Sequence, residues 1–185
     1  MVSLRYLSLP STELEGGIPN FFGNSCSLNL LRLPFNYLNG QLSELIQSLS
    51  GGCMVNSLES LYLGANDLTG PIHDFGGFSS LKELRLRENR LNGTINKSLG
   101  QLSKLESLSL GRNSFTGVIS ETFFNNMFNL QIPTWADNSL DFEIEPWLGS
   151  SFSSENIKSC LLQDGTSFSK MASNSKSTYF PWCLQ

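Results

Sequence analysis

Residues 81–104 read LKELRLRENRLNGTINKSLGQLSK. Leucines stand at Leu81, Leu84 and Leu86, Asn89 follows three residues on, and Leu91, Gly93 and Ile95 come next. The pattern is L-x-x-L-x-L-x-x-N-x-L-x-G-x-I. Leu84 and Leu86 alternate with Glu83, Arg85 and Arg87, which is the period of a short strand with one buried face. Asn89 ends that strand. Its amide carries donors and an acceptor, and so can satisfy backbone groups left unpaired where the chain turns. Leu91 and Ile95 re-enter the core on the return side, and Gly93 permits a tight course between them. A unit of this size buries too few side chains to offset the entropy of ordering its backbone. It becomes stable only by stacking against further copies.

Those copies are present. Units begin at Leu4, Leu28, Leu58, Leu81 and Leu105, and a sixth begins at Leu130. The steps are near 24 residues except the second, of 30, where residues 51–57 read as an insertion bulging from the turn as a loop. The terminal asparagine recurs as Asn36, Asn66, Asn89, Asn113 and Asn138, with Thr12 in the first copy. A return-side apolar position recurs as Phe22, Ile46, Phe75, Leu99 and Phe123. Strands are expected at 6–9, 30–33, 60–63, 83–86 and 107–110. The sixth unit keeps Leu130, Asn138, Leu140, Phe142 and Ile144, but Pro133 and Trp135 replace its two strand leucines. Proline has no N–H for a ladder, so the sheet is expected to weaken or end there. Residues 1–145 form the repeat domain, and 146–185 read as a degenerate or disordered Ser-rich tail.

The class that follows is an α/β repeat, a right-handed solenoid with a parallel β-sheet on its concave face. Hydrophobic residues make up 39% of the 185 and charged ones 15%, enough apolar content for a core. A net charge of −4 argues against general nucleic-acid or anionic-membrane binding. No apolar run approaches the ~18 residues of a membrane span. The opening MVSLRYLSLP lacks the regions of a secretory signal and starts directly on a repeat, so the chain reads as cut from something longer.

The repeated pattern, with the Ile18-Pro19 pair of the first copy, resembles the plant extracellular class of leucine-rich repeats. GGFSSLKELRLRENRLNGTINKSLGQLSKLESLSLGRNSFTGVIS is similar to the middle of the ectodomain of plant receptor-like proteins. The resemblance covers roughly residues 2–144. It implies an extracellular recognition module on a plasma-membrane receptor in defence or development, taking a peptide, glycan or protein ligand and signalling through a partner co-receptor kinase. A soluble inhibitor resembling polygalacturonase-inhibiting proteins, and a truncated product without function, are the alternatives. The resemblance implies no enzyme and no cofactor.

Several motifs have blander readings. Asp74-Phe75-Gly76 spells a kinase tripeptide, but no Gly-rich loop, strand lysine or catalytic loop accompanies it, and Phe75 sits at the recurrent apolar position. His73, the only histidine, has no partners at metal spacing and reads as a surface residue. Asp137, Asp141, Glu143 and Glu145 lack the spacing of a calcium loop and read as a solvated edge, so no metal is expected. Asn92-Gly93-Thr94 and Asn96-Lys97-Ser98 are N-glycosylation acceptors. Cys26 and Cys53 fall near the ends of adjacent repeats, where a disulfide and two buried thiols are both open readings.

Strand residues that alternate with the core leucines must point out of the concave face. They place Arg32, Tyr62, Glu83, Arg85, Arg87, Glu88 and Arg112 there as the candidate ligand-binding set. Aromatic and guanidinium groups are enriched at binding hot spots, and arginine can grip a carboxylate or sulfate in bidentate fashion. The competing reading is that Glu83 and Glu88 merely pair with these arginines.

Overall fold

The structure, a computed structural model, describes residues 4–72 and 74–143. His73, Ile144, Glu145 and the Ser-rich tail 146–185 lie outside the described residues. Six short strands, Tyr6–Ser8, Leu30–Arg32, Ser60–Tyr62, Glu83–Arg85, Ser107–Ser109 and Ile132–Thr134, form a parallel sheet in chain order. Leu31, Leu61, Leu84 and Leu108 are stacked in register and fully buried. Each return path adds a strand to a second parallel sheet: Glu15–Gly16, Tyr37–Gln41, Asp67–Gly70, Arg90–Gly93, Ser114–Ser120 and Ser139–Glu143. The core lies between the two sheets, and Phe75, Leu99 and Phe123 pack into it from the return side.

The asparagines join the units. Asn66 Nδ2 donates to Leu63 O in its own unit and to Leu33 O in the preceding one, both at 3.0 Å. Its Oδ1 accepts the N–H of Leu38 at 3.0 Å. Asn36, Asn89, Asn113 and Asn138 repeat this scheme, each reaching back one unit. Oδ1 of these four accepts from Leu14, Leu68, Leu91 and Phe115. Asn36 and Asn66 are buried and Asn89 is half-buried, with its hydrogen bonds filled. A buried polar group with every partner in place is worth far more to the fold than its own bond energies, because each partner lost would strand a desolvated backbone group.

Two expectations need correction. The inner sheet does not stop before the sixth unit: Ile132–Thr134 pairs with Ser107–Ser109, and Pro133 lies opposite Leu108. The reason is the direction of the ladder. Core-position N–H groups donate forward, Leu63 to Arg85 O, Leu86 to Ser109 O and Leu110 to Thr134 O, at 2.8–2.9 Å. The N–H that Pro133 lacks would therefore point away from the strand it pairs with. Trp135, in the other leucine place, is fully buried against the ring edges of Phe123, Phe124 and Phe142, with centroids 6.0–6.4 Å away. Among the described residues its indole N–H has no hydrogen-bond partner.

The second correction concerns residues 51–57, which do not bulge as a loop. Leu42–Ser50 is a helix whose Leu42, Leu45, Ile46 and Leu49 face the core at helical spacing. Met54–Ser57 forms a helical turn, anchored by the fully buried Met54. Cys26 and Cys53 are joined by a disulfide with Cα atoms 4.9 Å apart, bracing the insertion against the preceding unit. Packing there is close enough that a Cβ on Gly23 would fall 2.6 Å from Ser48 O.

The ladder predicts unequal consequences for two nearby asparagines. Asn89→Leu strands backbone groups in two units and is expected to lower the urea unfolding free energy by about 1–3 kcal/mol. Asn92→Gln, on an exposed position, is expected to stay within about 0.5 kcal/mol of wild type. Equal unfolding midpoints for the two would contradict the ladder.

Candidate ligand-binding face

Pleating sends the residues between the buried leucines outward. In the second outward column Arg32 pairs with Tyr62 and Tyr62 with Arg85. The guanidinium carbons of Arg85 and Arg32 lie 5.0 and 5.8 Å from the Tyr62 ring centre, so one aromatic ring is flanked by two cations. The Tyr62 hydroxyl donates to Glu83 Oε2, and Arg85 Nη2 lies 3.3 Å from the same oxygen. Thr134 Oγ1 donates to Ser109 Oγ at 2.8 Å further along the column.

Burial pushes the Tyr62 hydroxyl above its ordinary value of 10.0, and the hydrogen bond and negative charge of Glu83 push the same way, against Arg85. The hydroxyl is therefore neutral and donating at pH 7, and the cluster keeps the sign of its arginines. Among the described residues Arg32 has no carboxylate at ion-pair distance.

A second group lies where the inner strands turn. Arg87 Nε is 3.3 Å from Glu88 Oε1, Arg112 Nη1 is 2.9 Å from that atom, and Arg112 Nε is 3.3 Å from Asp137 Oδ2. Ser11, Phe35, Ala65, Glu88, Arg112 and Asp137, each one before its ladder residue, have left-handed φ of 52–60°. Non-glycine residues avoid that region. Here neighbouring units hold it: Glu88 N–H donates to Gly111 O at 3.0 Å and Arg112 N–H to Ala136 O at 2.8 Å. Gly111 leaves room beside this group, since a Cβ there would sit 3.0 Å from Ala136 O and 3.8 Å from Arg87 Nη1.

The structure thus gathers Arg32, Tyr62, Glu83 and Arg85 into one cluster and Arg87, Glu88 and Arg112 into another. Glu83 and Glu88 do pair with arginines, and exposed pairs of this kind contribute only about 0–1 kcal/mol each. Asp137 was missed as a member of the second cluster, although its place before Asn138 is the signal that selects Glu88 and Arg112. Asp141 and Glu143 are exposed on the last outer strand. Among the described residues no group of acidic, histidine or cysteine side chains could hold a metal ion. Asn92 and Asn96 are exposed, and Phe75 is a fully buried core residue.

Stacked units joined by an asparagine ladder, with parallel strands on the inner face, define a leucine-rich repeat solenoid. The Leucine Rich Repeat family matches residues 3–25, 80–102 and 104–126. Receptor-like protein 35 of Arabidopsis thaliana is 37% identical over 159 residues, which cover 71% of this chain but 17% of that protein. The ectodomain of the Arabidopsis thaliana receptor kinase SOBIR1 superposes with a TM-score of 0.62 at 32% identity, over 74% of this chain and 71% of that one. The Arabidopsis receptor kinase HAESA, solved in complex with the peptide hormone IDA and the co-receptor SERK1, gives 0.65 at 31% identity, over 75% of this chain and 22% of that one. The chain belongs to the plant leucine-rich repeat receptor-like proteins, and it spans less than a fifth of the length of the first of these relatives.

The titration of Tyr62 tests the cluster. Absorbance at 295 nm is expected to show one tyrosine ionising above the ordinary range, and Glu83→Gln is expected to bring it down. Because the folded value is raised, its stabilising contribution is complete below about pH 10 and is lost as pH climbs through the folded value.

Proposed function

We propose that this chain is a ligand-recognition segment of a receptor ectodomain on the extracellular side of the plant plasma membrane. Its inner face takes an extended peptide carrying an anionic group, and the intact receptor signals through a co-receptor kinase. The supporting observation is the Arg32–Tyr62–Arg85 stack. Among the described residues Arg85, Arg87 and Arg112 each lie at ion-pair distance from a carboxylate, and Arg32 does not. A carboxylate or sulfate seated there gains a charge-assisted hydrogen bond while its apolar neighbours cover Tyr62. The peptide-bound HAESA structure supports the same use of the fold.

Arg87 and Arg112 belong to this face but share Glu88, and the reading gives them a lesser part than the sequence suggests. Asn92 and Asn96 are proposed to carry glycans, being exposed and away from the inner strands. The chain is assigned no catalysis. No helix among the described residues is long and apolar enough to cross a membrane.

The test is an array of immobilised extended peptides with and without acidic or sulfated residues. Acidic members are expected to bind, and Arg32→Ala or Tyr62→Ala is expected to weaken them about tenfold or more. Arg87→Ala is expected to cost less. Retention of neutral and acidic peptides alike, unchanged by Arg32→Ala with folding intact, would overturn this assignment.

A further inference from the structure

The turn between the inner strand Leu30–Arg32 and the outer strand Tyr37–Gln41 carries two exposed aromatic rings. Phe35 is 62% exposed and Tyr37 54%, with only the buried Asn36 between them. Every other member of the Phe35 column is small or charged: Ser11, Ala65, Glu88, Arg112 and Asp137. Core packing does not explain either ring, because Leu33 and Leu38 on either side fill the interior.

The charge beside these rings is of one sign. Glu15 lies opposite Tyr37 in the outer sheet, one strand spacing or ~4.8 Å away. Glu13 stands two residues before it, and both carboxylates are exposed. Among the described residues neither has a cation at ion-pair distance, whereas the next acid along this edge, Asp67, is held by Arg90 at 2.7 Å. Aromatic faces attract cations through their quadrupoles, and unpaired carboxylates beside them strengthen the attraction. The surroundings of Tyr37 are thus the reverse of those of Tyr62, whose ring already has its cations.

We propose that this corner is a second docking surface, for a basic and apolar segment of another polypeptide in which lysine or arginine alternates with leucine or phenylalanine. The cation sits between Tyr37 and Glu15 and the apolar neighbour covers Phe35. A second copy of this chain fits poorly, since a symmetric contact would set Glu13 and Glu15 against their own counterparts. The inference is independent of the inner-face assignment, because it uses none of those side chains and calls for a ligand of opposite charge.

The experiment uses the 185-residue chain and two labelled synthetic peptides, one alternating arginine with leucine and one with glutamate in place of arginine, read by fluorescence anisotropy. The arginine peptide is expected to bind and the glutamate peptide not. Phe35→Ala with Tyr37→Ala is expected to weaken binding about tenfold or more. Glu13→Gln with Glu15→Gln, on exposed positions that leave packing untouched, is expected to weaken it and to flatten its salt dependence. Equal binding of the two peptides overturns the proposal, as does wild-type affinity in either double variant with its circular dichroism unchanged. Sedimentation adds a further arm: wild-type self-association that Phe35→Ala with Tyr37→Ala abolishes would assign the corner to a second copy instead.

Discussion

The fold rests on the asparagine amide at the end of each inner strand. Each one bonds the carbonyl of its own core leucine position, the matching carbonyl one unit back and a backbone N–H of that earlier unit. No single unit can supply these partners, so the ladder makes the units interdependent and the solenoid cooperative. Where Thr12 takes the asparagine place, its hydroxyl donates to Leu9 O and its backbone N–H to Asn36 Oδ1, which ties the first unit to the one after it. Trp135 keeps its place in the ladder through its carbonyl, which Asn138 Nδ2 reaches at 2.9 Å. That is why a bulky aromatic is tolerated at a leucine position: the ladder reads the backbone, and the phenylalanines around the indole supply the space.

The same ladder sets where charge stands. By forcing a left-handed residue just before each asparagine, it lines up Glu88, Arg112 and Asp137 at the edge of the inner sheet, close enough to alternate in sign. Two strands earlier the equivalent residue is the exposed Phe35, and the chemistry of the edge changes from ionic to aromatic. Along the inner strands the carboxylate of Glu83 holds both Tyr62 and Arg85, while Arg32 has no carboxylate at ion-pair distance among the described residues. The proposed anion-binding face and the proposed cation-binding corner thus lie on neighbouring surfaces of one scaffold.

Most of this architecture was legible because the buried leucines keep a strict period. The expected strand at 83–86 is Glu83–Arg85, and the outward columns follow from alternation alone. What failed was whatever depends on direction or reach. Pro133 pointed to a sheet that weakens or ends because sequence does not show which way an N–H points. Residues 51–57 read as a loop because Met54 and Val55 are adjacent apolar residues with no periodic partners within the segment. The outer sheet was hidden by strands of two to seven residues with the stagger of a neighbour still unknown. That Glu83 and Glu88 pair with arginines was an open reading of the sequence, but which arginine each one meets was not legible, since ion pairs between units depend on side-chain reach across the sheet. Asp137 was set aside with other acids until its position before Asn138 joined it to Arg112.

The outward columns have a consequence for variation. The asparagine ladder that holds one unit to the next is made of main-chain atoms and one amide, and the outward strand positions contribute no side chain to that ladder. Within this one chain the column before the asparagine already holds serine, phenylalanine, alanine, glutamate, arginine and aspartate at nearly the same φ. Heritable change at these positions can therefore rewrite the recognised chemistry while the frame persists, and duplicating a whole unit lengthens the reading surface without redesigning its support.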